Sequence, residues 1–121
     1  MPVLPDLGLR RAVAAMLGVP LEQAPRSLPD ADLARLDRLS WTSEGEAAAY
    51  GRRWTAIASL NGLEHATGLV EVALSGNHIT DLRPLGACRA LEEAWLGDNA
   101  IADLAPLGGL TRLRGLPLYG N

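Results

Sequence analysis

Few residues of the 121-residue chain have the types and spacing that catalysis or metal binding requires. The two histidines, His65 and His78, accompany no serine or cysteine nucleophile motif and leave little material for a metal site. The one cysteine, Cys88, cannot form an internal disulfide. Glu71 and Glu93 could act as paired carboxylates in hydrolysis, although acids in such a row more often serve solubility. We therefore predict that the chain is not an enzyme and has no catalytic, cofactor-binding or metal-binding residues.

The composition argues against several other classes of protein. Apolar residues make up 48% of the chain and the formal net charge is −3, which disfavours both disorder and a surface for nucleic acid. No run approaches the roughly 18 apolar residues of a membrane helix, and the first residues resemble no export signal. We therefore expect a cytoplasmic protein as the sequence is written, or a secreted or surface protein if the chain belongs to a longer one.

The chain contains a sequence repeat with a period of 22 residues. Nine of 22 positions are identical between residues 77–98 and residues 99–120. The repeat keeps asparagine, aspartate, proline and glycine in register as well as leucine, which supplies 23 of the 121 residues. A period of about 20–50 residues is typical of proteins in which each unit stacks on its neighbours. We therefore predict a stacked array of similar units.

Each unit contains the pattern L-x-x-L-x-L-x-x-N, found at residues 69–77, 91–99 and 113–121. At the centre of this pattern, apolar residues alternate with other residues, which predicts a short strand with one buried face. After the strand, apolar residues recur at every third position, which favours 3₁₀-like turns on the opposite side. The predicted buried strand residues are Val72, Leu74, Ala94, Leu96, Leu116 and Leu118.

Polar residues that repeat with the same period have structural explanations. Asn77 and Asn99 follow the strands, where a buried amide can satisfy backbone groups of its own turn and of the neighbouring turn. Asp81 and Asp103 precede Leu-x-Pro-Leu and are predicted to cap the turns by accepting amide hydrogens. A calcium-binding or catalytic role for these acids is the minor alternative.

The segments NHITDLRPLGACRALEEAWLGDN and NAIADLAPLGGLTRLRGLPLYGN resemble bacterial leucine-rich repeats of the 22-residue, internalin-like class. The resemblance covers residues 57–121, and residues 6–41 resemble the helical cap that precedes such repeats. It implies an α/β fold: a right-handed solenoid with short parallel strands on its concave face, 3₁₀-like turns on its convex face and an α-helical N-terminal cap. It also implies a concave face that binds protein, without enzymatic activity.

The N-terminal part of the chain has its own helix signals. Apolar residues three or four positions apart predict an amphipathic helix between Asp6 and Gly18, with a buried stripe of Leu9, Val13, Met16 and Leu17. A second helical stretch is predicted from about residue 29 to residue 39. These helices would shield the first repeat.

An insertion of about 11 residues separates the cap from the repeats. Leu36, Leu39 and Trp41 resemble the strand residues of the repeats, but at an offset of 33 residues instead of 22. We predict a solvated loop anchored by Trp54, and the alternative is a contact cluster of Tyr50, Arg52, Arg53 and Trp54. The predicted organisation is a cap with the first strand over residues 1–41, an inserted loop over residues 42–56, and repeats that are incomplete at the C-terminus over residues 57–121.

Strand side chains that alternate with the buried ones point outward. Among them, Trp95 and Tyr119 are large aromatic residues that packing does not require, and Glu71 and Glu93 would flank them as a charged rim. The alternative is that Trp95 only covers its small neighbours. We predict a partner-binding surface formed by Glu71, Ala73, Ser75, Glu93, Trp95, Pro117 and Tyr119, with Arg38 and Ser40 as further candidates.

Two functions of different classes follow from this pattern. The first is a non-catalytic module that binds an unidentified protein partner through its concave strand face, without nucleic acid and without membrane insertion. The second is a structural or assembly piece that forms a homo-oligomer through its open C-terminal edge. There, the apolar residues of the last unit would lack a following unit to cover them: Leu113, Leu116 and Leu118.

Overall fold

The computed structural model describes residues 3–121, so the first two residues of the predicted cap lie outside the described part of the chain. The strands of this part form a parallel sheet in the order β1-β2-β3. None of the helices within residues 3–121 is long and apolar enough to cross a membrane. The elements are α1 (Leu7–Leu17), α2 (Asp30–Ala34), β1 (Arg38–Ser40), α3 (Glu46–Tyr50), β2 (Glu71–Ala73) and β3 (Glu93–Trp95), joined by short 3₁₀ turns.

Helix α1 occupies the predicted amphipathic stretch and is capped at both ends. The Asp6 carboxylate accepts a hydrogen bond from the Leu9 amide at 2.9 Å, and Gly18 ends the helix in the left-handed conformation, with φ of 76°. The second oxygen of Asp6 accepts hydrogen bonds from the amides of Ala58 and Ser59. Asp6 therefore starts the helix and also ties it to the first repeat.

The apolar side of α1 packs closely on the chain that enters the first repeat. Leu9 and Val13 of the predicted stripe are fully buried, whereas Met16 and Leu17 are only partly buried. Gly8 permits the close approach, because a Cβ at this position would lie 2.5 Å from the carbonyl oxygen of Thr55.

The prediction of a second helix is wrong beyond Ala34. Helix α2 covers only Asp30–Ala34, and Leu39 lies instead in strand β1, opposite Val72. Pairing with β2 satisfies the backbone groups of β1 and buries Leu39 together with Trp41. This tertiary gain outweighs the weak helical preference of the segment.

Corresponding residues of successive units are aligned across the sheet. Leu39 lies opposite Val72, Val72 lies opposite Ala94, and the side chains of all three are fully buried. A parallel bridge between Glu93 and Gly115 continues the same register into the last unit.

The last unit is less well buried than the units before it. Leu116 and Leu118, which the alternation predicts to be buried, are partly exposed, whereas Leu74 and Leu96 are fully buried. The difference arises because each earlier leucine is covered by the next unit, and within residues 3–121 no later unit covers the last two.

The segments that connect the strands contain 3₁₀ turns, as predicted, and these turns pack on one another. They lie at Leu63–His65, Arg83–Ala87 and Ala105–Leu107. The predicted capping role of the repeated aspartates is confirmed. Asp81 accepts a hydrogen bond from the Arg83 amide at 3.0 Å, and Asp103 accepts one from the Ala105 amide at 2.9 Å.

A ladder of asparagines connects the units. The Asn77 Oδ1 atom accepts a hydrogen bond from the Ile57 amide at 2.8 Å, and its Nδ2 atom donates to two carbonyl oxygens, at 2.6 and 2.8 Å. One of these carbonyls belongs to the same unit and the other to the preceding unit. Asn99 and Asn121 repeat the arrangement. The predicted structural role of Asn77 and Asn99 is therefore confirmed.

The predicted loop over residues 42–56 is exposed or half-buried throughout, but it contains regular structure, namely α3 and a 3₁₀ turn at Gly51–Arg53. Tyr50 and Trp54 stack on the buried Trp41 ring, with ring centroids 5.4 and 6.2 Å from that of Trp41. The predicted anchoring by Trp54 is thus present. The segment folds because the stack covers aromatic surface that a loop would leave in water.

Candidate functional site

The outward side chains of the sheet and of the residues that follow each strand form one surface, which we call the strand face. The parallel register sets Glu71 beside Glu93 and Ala73 beside Trp95. Because side chains alternate along a strand, all of the predicted partner-binding residues lie on this surface. The strand face comprises Arg38, Glu71, Ala73, Ser75, Glu93, Trp95, Gly97, Gly115, Pro117 and Tyr119.

Trp95 lies outside the core, as the alternation predicts. Its side chain is 44% exposed, although a residue of this size is usually well buried. Its indole Nε1 donates a hydrogen bond to a carboxylate oxygen of Glu93 at 3.3 Å, which holds the ring on the strand face. The flanking positions in the same row, Ala73 and Pro117, carry small side chains. Trp95 therefore stands above its neighbours.

Tyr119 is the second exposed aromatic residue of the strand face, with 61% of its surface accessible. Its ring lies against the backbone of Gly97, the residue at the corresponding position of the preceding unit. The two large rings are thus placed by neighbouring units of the repeat, at positions two residues apart in the pattern.

The charges of the strand face are arranged along one row. Arg38 and Glu71 form an ion pair of 3.1 Å across β1 and β2, and Glu93 continues the row on β3. Within residues 3–121 no ion pair is formed by Glu93. The net charge of Arg38, Glu71 and Glu93 together is negative, so the aromatic residues lie beside an acidic border.

Ser40, a candidate for extending the surface, does not contribute to it. Its side chain is 9% exposed because its hydroxyl donates a hydrogen bond to Glu46 of α3 at 3.1 Å. The other carboxylate oxygen of Glu46 accepts a hydrogen bond from the Thr42 amide at 2.7 Å. Helix α3 therefore covers the end of β1, while Arg38 remains exposed.

The alternative contact cluster in the insertion is divided by the fold. Tyr50 and Trp54 pack on Trp41, and only Arg52 and Arg53 of the cluster are exposed. The Arg53 guanidinium lies 5.9 Å from the centre of the Tyr50 ring. It also forms an ion pair with the Glu22 carboxylate, in the 3₁₀ turn that follows α1. The aromatic residues of this cluster therefore serve packing.

A cavity of about 300 Å³ opens where the strand face meets the start of the insertion. Sequence reasoning missed five of its lining residues: Thr42, Ser43, Glu44, Gly76 and Asp98. A signal for Asp98 exists in the repeat, since Gly76 and Gly120 occupy the corresponding positions of the other units. The charged and aromatic residues that line the cavity are Arg38, Glu44, Glu71, Trp95, Asp98 and Tyr119.

The buried cysteine is poorly suited to nucleophilic chemistry. Burial raises the pKa of the Cys88 thiol to about 11, and the charge of Glu64 adds to this effect. Such a thiol is a poor nucleophile at neutral pH. The His65 Nδ1 atom lies 3.6 Å from a carboxylate oxygen of Asp30, and the part of the chain that the structure describes has no group of three potential metal ligands.

Comparison with known proteins gives likeness in structure alone, because neither a family model nor a curated protein matches the chain. The internalin InlF of Listeria monocytogenes superposes with a TM-score of 0.79 and 28% identity, over 98% of this chain and 31% of that one. The functional domain of InlJ from the same organism superposes with a TM-score of 0.67 and 25% identity, over 94% and 22% of the two chains.

A third similar structure is the internalin InlC2 of Listeria monocytogenes, with a TM-score of 0.62, 22% identity and coverage of 97% of this chain and 55% of that one. At this identity the likeness concerns the fold alone. The chain spans between about a fifth and about half of the length of these three proteins.

Proposed function

We propose that this chain, which resembles the internalin-like leucine-rich repeat proteins in sequence pattern and in fold, is a non-catalytic module that binds a protein partner through its strand face. One observation carries the proposal: Trp95 and Tyr119, on neighbouring units, are both exposed and line the same cavity, on a surface whose other residues are small or charged. Large apolar rings in water are costly unless a partner covers them.

These two rings are expected to contribute more binding free energy than the rest of the surface. Tryptophan and tyrosine are enriched among the residues that contribute most to protein interfaces, and they are most effective when a polar rim excludes water around them. Glu71 and Glu93, which are register partners in the row next to Trp95, would form such a rim. We propose the full contact surface to be Glu71, Ala73, Ser75, Glu93, Trp95, Pro117 and Tyr119.

We further propose that the stacked units form a right-handed solenoid whose concave face is the strand face. The parallel register and the packed 3₁₀ turns support this architecture, because unequal widths of the strand and turn sides curve such a stack. Helix α1, which lies against β1, would then be its N-terminal cap. The proposed organisation is the cap with β1 over residues 1–41, the insertion over residues 42–56 and the repeats over residues 57–121.

The test is a comparison of partner capture by the wild-type chain, by Trp95→Ala and by Leu104→Ala. Leu104 is a matched control, since it is an apolar side chain of similar exposure, 41%, that lies outside the strand face. We expect Trp95→Ala to weaken binding of the captured protein by about 2 kcal/mol, roughly thirtyfold in Kd, and Leu104→Ala to leave it unchanged. Equal affinity of wild type and Trp95→Ala would refute the proposal.

Self-association is the second candidate, favoured by the partial exposure of Leu113, Leu116 and Leu118. A following unit in a longer protein would cover the same residues. Sedimentation of the chain with and without a designed closing unit after Asn121 separates the two proposals. Self-association predicts an oligomer that the closing unit dissociates, whereas the binding module predicts that partner affinity survives the addition.

A further inference from the structure

We infer that the cavity at the end of the strand face receives the positively charged side chain of an arginine or lysine on the protein partner. This inference rests on the proposed function and specifies the chemistry of the partner. The cavity lies between the start of the insertion and the outward residues of three successive units, where Trp95, Tyr119 and Asp98 come together with Glu44 and Glu71.

The size of the cavity suits one side chain. Its volume of about 300 Å³ is at the lower limit of the roughly 300–1,000 Å³ that sites for drug-sized molecules occupy. A long, unbranched side chain that enters from a partner surface needs less room than a free ligand of that size. The cavity is therefore better suited to an anchor residue of a protein than to a cofactor.

The charge of the cavity selects a cation. Its charged lining residues are three acids and one base, and the base, Arg38, is already paired with Glu71 at 3.1 Å. Within residues 3–121, neither Glu44 nor Asp98 takes part in an ion pair. An anionic or apolar occupant would leave these carboxylates without compensation as water is displaced, whereas a cation would neutralise them.

The aromatic residues of the lining favour the same occupant. Guanidinium and ammonium groups are attracted to the faces of tryptophan and tyrosine rings, and the contact strengthens as water is excluded. The apolar stem of an arginine or lysine could pack on Trp95 and Tyr119 while its charge reaches the acids. A polyanion such as nucleic acid would be repelled by the same lining.

The backbone at Asp98 adopts the left-handed conformation. Asp98 has φ of 52°, and Gly76 and Gly120, at the equivalent positions, have φ of 78° and 77°. Glycine is the residue that adopts this conformation most readily. The unit that contains residues 91–99 thus has a carboxylate at a position where the units before and after it have a glycine.

The test titrates the ¹⁵N-labelled chain with five-residue peptides, blocked at both ends, in which glycines flank a central arginine, glutamine or glutamate. We expect saturable shifts of the Trp95 indole N–H and the Asp98 amide with the arginine peptide alone. Asp98→Asn should weaken this binding at least fivefold, since asparagine keeps the left-handed conformation and removes the charge. Asp103→Asn, an equal change of charge outside the cavity, should leave it unchanged.

Equal shifts with the glutamate peptide, or equal affinity of wild type and Asp98→Asn for the arginine peptide, would overturn the inference. The inference also fails, and the proposed function stands, if the arginine peptide causes no shift while Trp95→Ala still weakens partner capture. If Trp95→Ala leaves partner capture intact, the proposed function fails, and the assignment of the cation to a partner fails with it.

Discussion

The ring of Tyr119 lies across the backbone of Gly97 so closely that a Cβ at position 97 would meet the Tyr119 Cζ atom at 2.7 Å. The absence of a side chain on one unit therefore sets the position of an aromatic residue on the next. Gly97 is buried by this contact, and Tyr119 keeps most of its surface exposed. The position of the more exposed of the two rings therefore depends on the residue at the corresponding position of the preceding unit.

Replacing this glycine should move the ring. We expect Gly97→Ala to displace Tyr119 from its position at small cost in stability, because the exposed ring can rotate away from the new methyl group. Loss of the nuclear Overhauser contacts between the Tyr119 ring and residue 97 measures the displacement. Gly115→Ala is the matched control, since a Cβ there meets only Glu93 at an ordinary 3.6 Å. An unmoved ring in Gly97→Ala would contradict the structure.

The left-handed conformation of Asp98 predicts an unusual stabilising substitution. We expect Asp98→Gly to raise the free energy of unfolding by up to about 1 kcal/mol, because residues with a Cβ are strained at positive φ. Asp98→Ala keeps the Cβ and should not stabilise the protein. Urea denaturation compares the two variants, and a glycine variant no more stable than the alanine variant would argue against strain at this position.

The asparagine ladder predicts a gradient of stability effects. Asn77 is 3% exposed and makes three hydrogen bonds to backbone groups, so Asn77→Ala should lower the free energy of unfolding by about 3 kcal/mol. Asn121 makes the corresponding bonds at an exposed position, where water can replace the amide. Asn121→Ala should therefore cost roughly 1 kcal/mol or less. If urea denaturation gave equal losses of unfolding free energy for the two variants, burial would not determine how much each asparagine contributes to stability.

The buried thiol predicts a loss of stability at alkaline pH. Burial raises the pKa of Cys88 to about 11 in the folded chain, whereas the unfolded thiol titrates near about 8.5. Between these values the unfolded state has released the proton and the folded state has retained it. The free energy of unfolding should therefore fall by roughly 1 kcal/mol for each pH unit as the pH rises through this range.

Cys88→Ala provides the control for this pH dependence, because it removes the thiol and leaves both tyrosines and all arginines in place. The difference in unfolding free energy between wild type and Cys88→Ala should narrow as the pH rises from 8 toward 11. A constant difference over this range would mean that the thiol ionises equally well in the folded state.

The repeat could be read from the sequence because its signals are local and periodic. A 22-residue spacing of leucines, asparagines and aspartates predicts the buried strand positions, the amide ladder and the turn caps, each of which needs only its own unit and the next. Trp95 and Tyr119 could be placed on the outward face by the same alternation. Outside the repeat the 22-residue signal is absent, so the sequence predicted neither the end of α2 at Ala34 nor the helix α3 within the insertion.

The sequence by itself therefore determined the repeat unit, its buried residues and the outward direction of the two aromatic side chains. Only the tertiary structure decided which residues surround those rings, because Glu44, Glu71 and Asp98 belong to three units that meet through stacking. The contacts between units depend on two features, the packing of α3 on Trp41 and the space beside Gly97 that the Tyr119 ring occupies. Neither feature is part of the 22-residue pattern. Spacing along the chain fixes the faces of a unit, whereas the cavity arises from the packing of nonequivalent side chains.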